Sequence, residues 1–124
     1  MARPEFMPPV FESPGGQSPG ARINRPIDLA HLSRQTMGDR ALEQEVLGLF
    51  LQQATMVRDA ILDAGPVERL RLAHNLKGSA RGVGAFQIAD CVAEFERRPQ
   101  DRQVIKSLSA LIDDVRDFVA AIGR

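Results

Sequence analysis

Arg71-Leu72-Ala73-His74-Asn75-Leu76-Lys77-Gly78-Ser79-Ala80-Arg81-Gly82-Val83-Gly84 is the stretch whose reading decides the fold. At about 100° per residue, Leu72, Ala73, Leu76, Ala80 and Val83 gather on one side of a helix, opposite His74. The segment is therefore an amphipathic helix with its apolar stripe toward a core and His74 toward solvent. Lys77, Gly78 and Arg81 fall on the His74 side one and two turns on, and Arg71, with Leu70 beside it, falls one turn back.

Working outward, the same periodicity continues in both directions. Gly65 and Pro66 open this helix, since proline is tolerated in a first turn and Glu68 suits its positive end. Before it, Leu42, Val46, Leu49, Phe50, Val57 and Ile61 recur at spacings of three and four, predicting a long helix from Asp39 to about Ala64 with these residues inward. Asp28 is placed to cap a short helix ahead of that, with Ile27 and Leu32 as its hydrophobic staple and Gly38 as its end. After the Gly82-Val83-Gly84 break, a helix with Ile88, Val92 and Phe95 inward ends before Pro99. Asp101 caps a last one, striped by Val104, Leu108, Leu111, Val115, Phe118 and Ile122.

No segment shows sustained strand alternation, so the fold class is all-α. Short connections force successive helices to pack as antiparallel neighbours. The expected architecture is an up-and-down four-helix bundle over residues 27–124, with the short N-terminal helix capping one end. Residues 1–26 hold six of the eight prolines and little apolar periodicity, and read as a disordered tail. Within it, Glu5-Phe6 ahead of Met7 resembles a translated cloning site, so residues 1–6 read as vector-derived.

With 124 residues there is room for one core and none for separate nucleotide and substrate domains. Sixteen basic residues balance sixteen acidic ones, which removes the field that non-specific nucleic-acid binding needs. The single cysteine, Cys91, permits no internal disulfide and reads as a small core residue in a reducing compartment. The absence of a long apolar run or a signal-like start makes the expected partner surface aqueous and the expected location the cytoplasm. With only His31 and His74 there is no metal-ligand spacing, and Ser79, near the core edge, has no triad partners.

A lone surface histidine is usually only that, but His74 has particular surroundings. A neutral imidazole offers a nucleophilic ring nitrogen that can be phosphorylated without a metal on its own side. Lys77 and Arg81 are cations able to reach phosphate oxygens, with Arg71 and Arg81 equally readable as a solvated face. Gly78 is costly in a helix and leaves space beside His74 for an incoming surface. His31, on a short end helix with no following glycine, keeps an ordinary reading.

The run His74-Asn75-Leu76-Lys77-Gly78-Ser79-Ala80, continuing to Gly82-Val83-Gly84-Ala85, resembles the His-x-x-Lys-Gly segment of the histidine-containing phosphotransfer (HPt) family. The resemblance implies a four-helix bundle that relays a phosphoryl group between His74 and aspartates of receiver domains. It implies His74 as phosphoacceptor, Lys77 facing the phosphate, Gly78 clearing the approach, and Glu96 holding the other ring nitrogen where the family often has glutamine. Arg71, Arg81 and Leu70 become the expected partner contacts. The implied partners are receiver domains of a hybrid histidine kinase or a response regulator, met by a monomer. No cofactor is expected on this chain, since Mg²⁺ belongs to the receiver, and no autonomous kinase activity. The competing readings are a non-catalytic helical adaptor and the dimeric histidine-bearing part of a kinase-like phosphotransferase; the chain lacks the Gly-rich phosphate loop such a kinase needs.

Overall fold

The computed structural model describes residues 25–123. The expected tail, with the stretch at residues 1–6 read as vector-derived, lies outside the described residues apart from Arg25 and Pro26. Five helices follow: α1 (Leu29–Thr36), α2 (Arg40–Ala60), α3 (Pro66–Val83), α4 (Phe86–Arg97) and α5 (Arg102–Ile122). The described residues contain no strand. Helices α2 to α5 form a ring in which each packs on the next and α5 returns to α2, while α1 lies across α2 and α3. This is the antiparallel four-helix bundle with a capping helix. No described helix is long and apolar enough to cross a membrane.

Local chemistry explains the helix starts. Asp28, Asp39 and Asp101 each accept a backbone N–H of the first turn with a carboxylate oxygen, at 3.1 Å from His31, 3.0 Å from Leu42 and 2.9 Å from Gln103. Ile27 and Leu32 flank the first cap and are both buried. Helix α1 ends one residue earlier than Gly38 implied: Met37 takes the left-handed conformation at the cap, and Gly38 follows it with φ +78°. Helix α2 stops at Ala60 rather than near Ala64, and Arg69 of α3 supplies the reason. Its guanidinium donates to the carbonyls of Ile61, Leu62 and Ala64 at the end of α2, and to that of Pro99 between α4 and α5.

The core runs along the bundle axis. Helix α3 contributes Ala73, Leu76, Ala80 and Val83, and α4 contributes Ile88, Ala89, Val92 and Phe95. Small residues on both helices let their axes approach closely. Helix α5 buries Val104, Ile105, Leu108, Ile112 and Val115, with Leu111, Phe118 and Ile122 at the margin. On α2 the inward face is Leu47, Phe50, Ala54 and Val57, extended by Ile61 just beyond the helix. Leu42 and Leu49, expected inward, are exposed at 40% and 59%. Cys91 lies at the core edge, donates to the Val104 carbonyl at 3.5 Å, and has its thiol pushed up to about 11 by burial and then by the charge of Glu94.

Two contacts fasten α1. Thr36 donates its buried hydroxyl to the Leu32 carbonyl at 3.0 Å and meets the Glu43 carboxylate of α2 at 3.2 Å. At the other end the Gly84 carbonyl accepts the Asp28 N–H at 2.9 Å. Gly84 closes α3 with φ +86°, and Ala85 N–H reaches back to the Ala80 carbonyl at 2.8 Å, the pattern of a glycine-terminated helix. A Cβ at Gly84 would stand 2.8 Å from the Asp28 carbonyl oxygen. Gly84→Ala is therefore expected to lower stability by about 1–3 kcal/mol, since left-handed strain and a backbone clash act together. Urea denaturation measures this, and an unchanged midpoint would contradict the account of the α3–α4 turn.

Candidate functional site

Burial of one α3 stripe decides where the other side chains of that helix go. His74 faces out, with 76% of its side chain exposed. Leu70 and Arg71 precede it and Gly78 and Arg81 follow it, all exposed, so five of the expected residues share one face. Val67, two turns before His74, adds a second exposed apolar side chain to Leu70.

Lys77 is not the free cation that the helix pattern implies. Its side chain is only 17% exposed, and its ammonium is paired with Oε1 of Glu96 on α4. The second oxygen of Glu96, Oε2, lies 3.8 Å from Nδ1 of His74, an ion-pair distance longer than a hydrogen bond. One carboxylate thus stands between the imidazole and the ammonium. It is held at the seam of α3 and α4 because Phe95, its neighbour, is anchored in the core. Nδ1 is thus the ring nitrogen nearer to Glu96.

The two arginines differ. Arg71 pairs with Glu68 one turn earlier, and this hydrogen bond holds the Glu68 carboxyl below its usual range and the guanidinium above its own. Its charge is therefore partly neutralised. Arg81 is exposed with no ion-pair partner among the described residues. The other histidine, His31, packs edge-to-face on Phe86 with centroids 5.2 Å apart. Its Nε2 is buried and has no hydrogen-bond partner among the described residues, so this ring is a packing element of α1.

A family model described as the Hpt domain matches residues 45–121, from early α2 almost to the end of α5. The chain belongs to the Hpt domain family. Comparison with curated proteins and with solved structures gives no match. Membership implies histidine phosphotransfer in a two-component phosphorelay, the activity of Hpt domains, which work with receiver domains.

The glycines of this Hpt domain carry a further signal. A Cβ built on Gly48, Gly78 or Gly82 would meet nothing within 4 Å, so no packing contact requires glycine there. In a helix interior each glycine costs about 0.8–1 kcal/mol relative to alanine, so Gly48 in α2 and Gly78 in α3 weaken their helices without compensation in this chain. Gly78→Leu is expected to leave stability unchanged or raise it by up to about 0.8 kcal/mol. Chemical denaturation measures it; a loss above about 1 kcal/mol, roughly fivefold in the folding constant, would mean that the Gly78 surface is not open.

Proposed function

We propose that His74 is the phosphoacceptor and that the chain passes its phosphoryl group to and from the aspartate of a receiver domain. The observation that carries this reading is the grouping of an exposed imidazole, Glu96 against Nδ1, and Lys77 within reach of the same carboxylate. With a proton on Nδ1 facing Glu96, the Nε2 lone pair attacks the phosphorus of the receiver's aspartyl phosphate. The N–P bond forms as the acyl P–O bond breaks, and the electron pair leaves with the receiver carboxylate. The ring keeps its Nδ1 proton and becomes cationic, a charge that the Glu96 carboxylate offsets.

Lys77 acts by exchanging partners. As phosphate charge arrives at His74, its ammonium turns from Glu96 toward the phosphate oxygens, and Glu96 is freed to hold the charged ring. Charge neutralisation of this kind is the main contribution a protein makes to phosphoryl transfer. Arg81, and Arg71 beside its Glu68 partner, face the acidic Mg²⁺ pocket expected of the receiver, and Leu70 supplies apolar contact. The chain itself needs no cofactor and no nucleotide, and meets its partner in the cytoplasm as a monomer.

His74→Gln is expected to abolish acid-labile phosphorylation by a phosphorylated receiver while the circular dichroism spectrum stays that of the parent, because His74 contributes nothing to the core. Label persisting in this variant would move the acceptor elsewhere, and no label in the parent with any receiver would leave only an adaptor. Gly78→Leu should separate docking from chemistry. Its side chain would fill the space through which the receiver aspartate approaches, and attack geometry tolerates little displacement. Transfer from the receiver should fall by about 100-fold or more, with labelling by the small donor phosphoramidate largely retained. Normal receiver transfer in a folded variant would sink the role assigned to Gly78.

A further inference from the structure

An ionised carboxylate accepts hydrogen bonds and donates none, so Glu96 suits a histidine ring only while the nitrogen facing it carries a proton. A glutamine amide at the same place could turn over, accepting from a protonated Nδ1 or donating to a bare one. In this chain Oε2 of Glu96 lies 3.8 Å from Nδ1 of His74 while Oε1 holds the Lys77 ammonium, so one negative charge serves both side chains.

Phosphorylation changes how that charge is shared. Once Lys77 turns to the phosphate oxygens, Glu96 loses its counter-ion, and a proton on Nδ1 becomes the nearest compensating charge. The other charged groups of the neighbouring elements do not take its place. On α4, Glu94 is held by Arg97 and Arg98. On α3, Arg71 is paired with Glu68, and Arg81 stands two turns past His74. Helices α2 and α3 are antiparallel and joined by a short turn, so the α2 residues about level with His74 are the uncharged Gln52 and Gln53. The charges of α2 closest to them, Glu45 and the Arg58–Asp59 pair, are about two turns off. Helix α1 meets α3 at Gly84, so Asp28 and Arg34 lie about 15 Å or more along the helix from His74, beyond the screening length of about 10 Å in 0.1 M salt. Since Arg71 and Arg81 disfavour a further positive charge, Glu96 is the group among the described residues that favours a protonated ring.

The ring proton decides how phospho-His74 behaves. With Nδ1 protonated, breaking the N–P bond returns the electron pair to Nε2 and releases a neutral imidazole, so a receiver carboxylate or water can take the phosphoryl group. With Nδ1 bare, the same step would expel an imidazolate anion, a far poorer leaving group. Building on the phosphotransfer reading, we infer that Glu96 keeps the Nδ1 proton on phospho-His74 above neutral pH and thereby sets the lifetime of the phosphorylated chain. The carboxylate makes the chain a fast phosphoryl donor rather than a store of phosphate. Lys77 neutralises the phosphate, and Glu96 keeps the leaving group ready.

The test labels the whole chain with phosphoramidate, removes the donor and follows loss of phosphate from His74 between about pH 5 and about pH 9. An opposite charge at this range favours the charged ring by a factor of about ten or more. Glu96→Gln should therefore lose phosphate about tenfold more slowly than the parent at about pH 8, and the two should converge near about pH 5, where both rings are protonated. Lys77→Met retains Glu96, so its absolute rate should change while the shape of its pH profile stays that of the parent. Nitrogen chemical shifts of the phosphorylated ring read the proton in the parent itself: Nδ1 should stay protonated at about pH 8, where phosphohistidine in a short unstructured peptide has largely lost it. Equal profiles in the parent and Glu96→Gln, a more labile glutamine variant, a profile that moves with Lys77→Met alone, or a ring that titrates with the free peptide each overturns the inference and leaves His74 as the acceptor. A parent that takes phosphate from neither phosphoramidate nor any phosphorylated receiver removes instead the reading on which the inference rests.

Discussion

The placement of His74 and the side chains around it depends on one constraint, the burial of Ala73, Leu76, Ala80 and Val83 along a single edge of α3. Two of the four are alanine, so this edge contributes less transfer energy than a leucine stripe would. Its value lies in close approach: α3 can come near enough to α4 for Lys77 and Glu96 to meet across the seam. Once that edge is fixed, helical geometry carries His74 to the surface and aims Gly78 and Arg81 beside it. A shift of α3 by one residue would rotate the imidazole by about 100° and detach it from Glu96.

The carboxylate between Lys77 and His74 also explains how a lysine can be mostly covered. A buried ammonium without a partner would be costly, and Glu96 removes that cost in the resting state. The pair lies near the surface, with Lys77 and Glu96 each retaining some solvent exposure. Glutamine at this position could accept from the ring but would leave the ammonium without a counter-charge, so the choice of glutamate bears on lysine as much as on histidine.

Much of this is legible in the sequence. The Asp28 cap with its Ile27 and Leu32 staple, the α3 stripe and the outward His74 follow from local spacing, because each depends on residues within two turns. The inward face of α2 was misread for a physical reason. Its sequence holds two apolar lines with the same three-and-four spacing, and periodicity cannot say which one meets the core; only the positions of α3 and α5 decide it. Leu42 and Leu49, expected inward, therefore lie outside, and Leu47 and Ala54 take the core positions. The Lys77–Glu96 pair and the Arg69 contacts span two helices or two turns, so they required the bundle itself. The residues flanking His74 were found by their chemistry, but the neutralisation of Arg71 by Glu68 was not.

The two ends of the bundle are fastened by different means, and this grades its resistance to opening. At one end a single guanidinium, that of Arg69, gathers four carbonyls from two separate turns, so neither turn can move without the other. At the opposite end an eight-residue helix is attached by the Asp28 amide, the Thr36 hydroxyl and the packing of Ile27, Leu32 and His31. Amide hydrogen exchange should accordingly be slowest around α3 and α4 and fastest in α1, whose release costs the fewest contacts. An excursion of that kind would uncover the Gly84 turn and the first residues of α4 while leaving the imidazole, half a helix away, on a surface that is still rigid.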